Sequence, residues 1–171
     1  MSDIVDILKQ VTNSILKHEP TAKILQKVTE LVCEKLRIDV CSIYTFDSKK
    51  NTLNLRANTG FVKKAKVSFS VEEGLTGLVF REQNTINLTK PMNHPQFTLV
   101  NSIGEEKFQS YLGVPMIDSS GSTLGCFIIQ NRSDDMIDEK VVDLANTLAS
   151  QMAILVSQEG LQRVLSDHTI K

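Results

Sequence analysis

Residues 73–88 read EGLTGLVFREQNTINL, residues 90–97 read KPMNHPQF, and residues 104–116 read GEEKFQSYLGVPM. The first segment predicts a short helix over 72–82, punctuated by Gly74 and Gly77, and then a brief strand over 85–88. Residues 89–108 carry Pro91, Asn93, His94, Pro95 and Gly104, which keep most of that span out of regular strand. A strand over 110–117 follows, with Pro115 inside it. An irregular excursion held over a sheet is how a small α/β domain makes a pocket. The stretch contains no nucleophile with a base beside it, no metal cluster and no phosphate loop, so it points to ligand sensing before catalysis.

Outward from this stretch the pattern is regular. Towards the N-terminus, Ile4, Ile7, Leu8, Val11 and Ile15 form one helical stripe, which Glu19-Pro20 ends. Thr21 is placed to cap a second helix whose stripe is Ile24, Leu25, Val28, Leu31, Val32 and Leu36. VCSIYTF at 40–46 reads as a strand, residues 47–51 as a turn, and Leu53, Leu55 and Ala57 as alternating positions of a second strand. KVSFS at 66–70 reads as a short third strand. Towards the C-terminus, residues 118–122 form a hairpin turn, and 123–131 form a nearly all-apolar strand buried on both faces. A long helix over 138–165 carries Val141, Leu144, Ala145, Leu148, Met152, Leu155 and Val156.

This order predicts one α+β domain over 1–171. N-terminal helices occupy 1–37, an antiparallel sheet and pocket cover 38–135, and a C-terminal helix 136–171. The terminal helices cover one face of the sheet, and the helix and loop cover lies over a pocket on the other. The 171 residues with 41% hydrophobic content can bury one core. A net charge of −1 gives no electrostatic case for nucleic acid or an anionic membrane. Lys63, Lys64 and Lys66 form the one dense basic cluster and read as a solvated turn. No secretory pattern opens the sequence and no apolar run approaches membrane-span length, so the expected location is cytoplasmic. Cys33, Cys41 and Cys126 show no CxxC or metal-ligand spacing and sit among apolar neighbours.

EGLTGLV lacks the GK[ST] ending of a P-loop and the GxGxxG of a dinucleotide fold. Its glycines read as steric: Gly74 turns the chain into the helix, and Gly77 allows close packing on the sheet. Apolar pocket walls are expected from Val79, Phe97, Phe108, Tyr111 and Leu112. Polar contacts are expected from Thr76, Arg81, Asn87, His94 and Ser110, with Arg81 suited to a carboxylate through its planar fork. His94 has no partner nucleophile nearby for general-base work, and its plain alternative is a loop-capping residue. His18 and His168 sit at helix ends. No catalytic residue and no metal ligand is assigned.

VCSIYTFD, EGLTGLV, LGVPM, LGCFIIQNR and LANTLASQMAILVSQ, in this order and over nearly the whole chain, resemble a GAF domain, a small-molecule-sensing module of bacterial signalling proteins. EGLTGLVFREQNTINL, HPQF and EEKFQSYLGVPMI are similar, more narrowly, to the N-terminal GAF domains of phosphoenolpyruvate–protein phosphotransferases of the nitrogen-related phosphotransferase system. That resemblance implies a regulatory fragment without the catalytic domains, since a phosphoenolpyruvate-binding barrel alone needs about 250 residues. It also implies a small-molecule effector, an amino acid or a 2-oxo acid reporting nitrogen status, acting on downstream phosphotransferase domains. No cofactor is implied in this domain, and magnesium is implied for the full-length protein. A homodimer through the terminal helices is expected, because Leu161, Val164 and Leu165 extend beyond the core edge. A ligand-free dimerisation or interaction module is the alternative.

Asn131-Arg132 followed by Ile137 resembles the motif of cyclic-nucleotide-binding GAF domains, an Asn-Lys pair, then Phe, then Asp-Glu. Arg132, Ile137 and Val141-Val142 stand where Lys, Phe and the acidic pair belong, which argues against cyclic-nucleotide binding. Redox chemistry at Cys41 or Cys126 is a third reading; both are expected to be inert core thiols.

Overall fold

Two strands rich in β-branched and aromatic residues, β1 (Val40–Asp47) and β6 (Thr123–Asn131), pair antiparallel at the centre of the fold. The computed structural model describes residues 2–61, 66–99 and 107–169. β2 (Thr52–Thr59) folds back on β1, and β3 (Ser68–Ser70) extends that side. On the other side β5 (Ser110–Ile117) pairs with β6, and β4 (Ile86–Thr89) with β5. The result is a six-stranded antiparallel sheet in the order β3-β2-β1-β6-β5-β4. Antiparallel neighbours joined by tight turns explain the pattern: Asp118 Oδ1 accepts from the backbone N–H of Ser120 and of Ser122, which closes the β5–β6 turn.

Three helices cover one face. α1 (Ser2–Leu16) and α2 (Thr21–Leu36) bury the Ile7, Val11, Ile24, Leu25, Val28 and Val32 stripe. α4 (Glu139–Thr169) adds Leu144, Leu148 and Met152, and the sheet answers with Ile43, Leu112, Val114, Met116, Phe127 and Ile129. A second apolar cluster fills the opposite face. There Tyr44, Leu53, Tyr111, Cys126 and Ile128 pack under α3 (Gly74–Glu82) through its Leu75 and Val79. β6 therefore contributes to both clusters, as its nearly continuous apolar sequence requires.

Four local expectations are corrected. Pro20, not Thr21, stands at the N-cap of α2, with no side-chain cap bond; Thr21 is its first helical residue. Proline's fixed φ suits that entry, and its carbonyl accepts from Lys23 and Ile24. α3 begins at Gly74, after Glu73 in extended conformation, so the acidic pair precedes the helix. Leu53, Leu55 and Ala57 do not share one face. Ile43 pairs with Ala57 and Tyr44 with Leu55, so Arg56 is an extra residue on β2, a bulge that turns Ala57 to the helical side. Gly77 packs on the chain leaving β3, where a Cβ would lie 2.5 Å from the Val71 carbonyl oxygen, and not on the sheet. α4 begins at Glu139 because Asp138 caps it, its Oδ1 accepting from Lys140 N–H at 2.8 Å. Lys63, Lys64, Gly104 and residues 100–106 of the expected cover lie outside the described residues.

Candidate functional site

α3 crosses the sheet with its N-terminus over β5 and β6. The entry is set by Gly74, whose φ of +69° is open to glycine without strain. Arg81, two turns further along α3, donates to the Val71 carbonyl and lies 3.9 Å from the Glu72 carboxylate. That guanidinium thus clamps the turn between β3 and α3, and so fixes where Glu73 and Gly74 stand.

Beneath that turn is a small cavity of about 40 Å³, partly open to solvent. Its walls are Phe69 from β3, Leu75 and Thr76 from α3, and Tyr111 and Gln130, which face each other across β5 and β6. Phe97 and Thr98, just after a single 3-10 turn at Pro91–Asn93, close it from above, and Glu73 and Gly74 form its rim. Its apolar walls with a few polar groups are what small-molecule sites use. The Thr76 hydroxyl and the Tyr111 hydroxyl are 3.0 Å apart, which ties the helix start to the sheet. Glu73 is the one charged residue among the described residues lining the cavity.

Of the ten residues expected at the site, Thr76, Phe97 and Tyr111 are brought together here. The other seven stand elsewhere. Val79 is fully buried in the cluster under α3. Arg81 is engaged by the Val71 carbonyl and Glu72. His94 holds its own loop: Nδ1 accepts from Gln96 N–H at 3.1 Å, and its carbonyl accepts from Phe97 N–H. Phe108 is buried but does not line the cavity. Leu112 follows Tyr111 by one residue and so points to the opposite face, into the helical core. Asn87 pairs with Leu112 across β4 and β5, and its Nδ2 donates to the Ile137 carbonyl at 2.9 Å. Ser110, also fully buried, shares the face of Leu112.

Phe69, Glu73, Leu75, Thr98 and Gln130 were not expected as lining residues. Phe69 and Gln130 come from strands far apart in sequence, and only the register brings them near Tyr111. Glu73 and Leu75 flank Gly74 in the quoted motif, so closeness to Thr76 could have marked them.

The thiols do not serve this cavity as nucleophiles. Cys41 and Cys126 are free and fully buried, and burial pushes both thiols well up; Cys33 is pushed up to about 12, again by burial. The Cys126 thiol donates to the Thr76 carbonyl at 3.6 Å, under α3. Among the described residues no group of three or more His, Cys, Asp or Glu could hold a metal. Asn131 and Arg132 are structural: Asn131 Oδ1 accepts from Asp39 N–H, and Arg132 N–H donates to Asp39 Oδ2. These reciprocal bonds fasten the end of β6 to the start of β1. No described helix is long and apolar enough to cross a membrane.

Comparisons agree with this architecture. A family profile described as GAF domain matches residues 18–157. A phosphoenolpyruvate-dependent phosphotransferase system protein of Escherichia coli is 30% identical over 163 residues, covering 94% of this chain and 22% of the relative. The Salmonella typhimurium counterpart is 31% identical over the same coverage. The chain thus spans about a fifth of the length of these relatives. The GAF domain of a phosphoenolpyruvate-protein phosphotransferase from Coxiella burnetii superposes with a TM-score of 0.88 at 28% identity, covering 95% of this chain and 98% of that one. A free methionine-R-sulfoxide reductase from Thermoplasma acidophilum shares the fold, with a TM-score of 0.70 at 20% identity over 81% of this chain and 93% of that one.

Proposed function

The chain belongs to the GAF domain family, and from that premise we propose that it is the metabolite-sensing regulatory unit of a phosphoenolpyruvate–protein phosphotransferase. The observation that carries the reading is the aromatic-walled cavity at the start of α3. A ligand there touches α3, the 97–98 segment and two central strands at once. It therefore has a different affinity for any state in which those parts separate, which is the requirement for a switch. The regulated step would be phosphoryl transfer in domains outside this chain, and the signal would be a metabolite reporting nitrogen status, in the cytoplasm. The similarity to phosphotransferase relatives over 94% of the chain supports that placement.

The test is a thermal-shift and titration screen of nitrogen metabolites against the chain and its Tyr111→Leu variant. A saturable ligand that stabilises the first, protects amides of 74–77 and 97–99 from hydrogen exchange, and is lost in the second is the expected result. Absence of any such ligand would sink the sensor reading. It would favour the second reading, a dimerisation module, which rests on the apolar side chains that α4 exposes at Ile154, Leu161, Val164 and Leu165.

A further inference from the structure

Where the second half of α4 leaves the sheet, it forms a groove of about 400 Å³ with β1, β2 and β6. Clefts of roughly 300–1,000 Å³ are the ones that take small molecules. The apolar walls are Phe46 from β1, Leu124 from β6, and Val156, Leu161 and Val164 from α4. Val156, Gly160 and Val164 recur at intervals of four and so share one stripe of the helix. Gly160 stands in the middle of that stripe, and a Cβ there would meet no other atom within 4 Å. Glycine weakens a helix interior, and no close packing against the described residues requires it here. Its effect is to leave the trough open along the helix.

The charge in the groove is unbalanced. Arg56 and Arg163 both line it, against a single carboxylate, Glu159. Arg56 donates to Glu159 twice, at 3.1 and 3.3 Å, and Arg163 once, at 3.2 Å. A guanidinium carries five N–H donors. Both arginines therefore keep donors for a second carboxylate, and the Arg56 side chain is about three-quarters buried, where such a bond is less screened by solvent. An apolar trough with surplus guanidinium at its side is complementary to a molecule with an aliphatic tail and an anionic head. From Val156 to Val164 the stripe runs about 12 Å, long enough for a medium-length alkyl chain.

We propose that this groove binds a free medium-chain aliphatic monocarboxylate, its tail along the Val156–Gly160–Val164 stripe and its head shared by Arg56 and Arg163. The groove has no lining residue in common with the cavity at the start of α3, so the proposal stands or falls apart from the sensor reading.

Amide chemical shifts of the intact chain, recorded during titration with octanoate, n-octylammonium and acetate below micellar concentrations and at matched ionic strength, test this. Octanoate is expected to shift residues 45–46, 56, 124 and 156–164 saturably. The other two probes, one lacking the anion and one the tail, should each bind about tenfold more weakly or worse. Gly160→Leu should raise thermal stability, since leucine is the better helix former, and still weaken octanoate by about tenfold or more. A merely damaged fold would not give that pair of results. Arg163→Ala, at an exposed side chain, should weaken octanoate by roughly threefold or more. Glu82→Gln, an exposed carboxylate on α3, should leave it unchanged. Equal binding of n-octylammonium, indifference to Gly160→Leu, or no response to octanoate would each overturn the proposal. So would shifts at these residues that follow protein concentration without octanoate, which would give the groove to a second copy. Binding to phosphatidylglycerol vesicles in place of free octanoate would also overturn it, by making the groove a membrane contact.

Discussion

A methyl group at position 113 would lie 2.7 Å from both the Tyr111 hydroxyl and Val79 Cγ2, and 2.9 Å from Tyr111 Cε1. The Tyr111 ring thus lies back along its own strand, over Gly113, with its hydroxyl at Thr76. Only a residue without a side chain leaves that space, so Gly113 fixes where the Tyr111 wall of the cavity stands. Gly113→Ala is expected to push the ring towards the cavity or away from Thr76, destabilising the fold by about 1–3 kcal/mol as overpacking does. Chemical denaturation measures the loss. A stability unchanged within about 0.5 kcal/mol would contradict the packing argument. At this scale the sequence was partly legible. Thr76, Phe97 and Tyr111 were readable because their motif and loop are local. Leu112 was not, because one residue of strand parity decides the face, and parity depends on a core that only the folded sheet defines.

The strands and helices themselves were legible, because period-2 and period-3.6 apolar patterns name them directly. The bulge at Arg56 was not, since nothing in TLNLRANT marks which residue the partner strand will skip. Its consequence reaches across elements. Arg56 makes a two-pronged contact with Glu159 of α4, at 3.1 and 3.3 Å, with both side chains about three-quarters buried. Arg163 contacts the same carboxylate from the exposed side. A bidentate, half-desolvated pair is stronger than a solvated one. Arg56→Ala is therefore expected to cost about 1–2 kcal/mol and to speed amide exchange in α4 from about residue 156 onward. Arg163→Ala, with its side chain 71% exposed, should cost no more than about 0.5 kcal/mol. Equal effects of the two changes would mean that the bulge does not anchor the helix.

For the whole molecule the question is what α4 does after it leaves the sheet. It continues as helix through Gly160, where a glycine costs about 1 kcal/mol relative to alanine in an isolated helix. Its last buried residue is Leu155, yet Ile154, Leu161, Val164 and Leu165 follow one another at intervals of seven, three and one. Positions seven apart and three or four apart share one helical face, which is the geometry of a seam between helices. Their exposures, 59%, 62%, 55% and 67%, show that no part of the described chain covers them. Leu16 of α1 is exposed at 70%, a further apolar residue on the helical layer. A second copy of the chain, with its α4 alongside, would bury this seam while leaving the cavity at the start of α3 on the opposite face of the sheet. The expected outcome is a dimer in sedimentation equilibrium that the paired change Leu161→Glu and Leu165→Glu converts to a monomer. Because those side chains contribute nothing to the core, the intrinsic stability of the monomer should shift by no more than about 0.5 kcal/mol. A dimer that survives both glutamates would place the association elsewhere on the surface. A monomer at every concentration would leave the seam to the chain that, in the longer relatives, accompanies this domain.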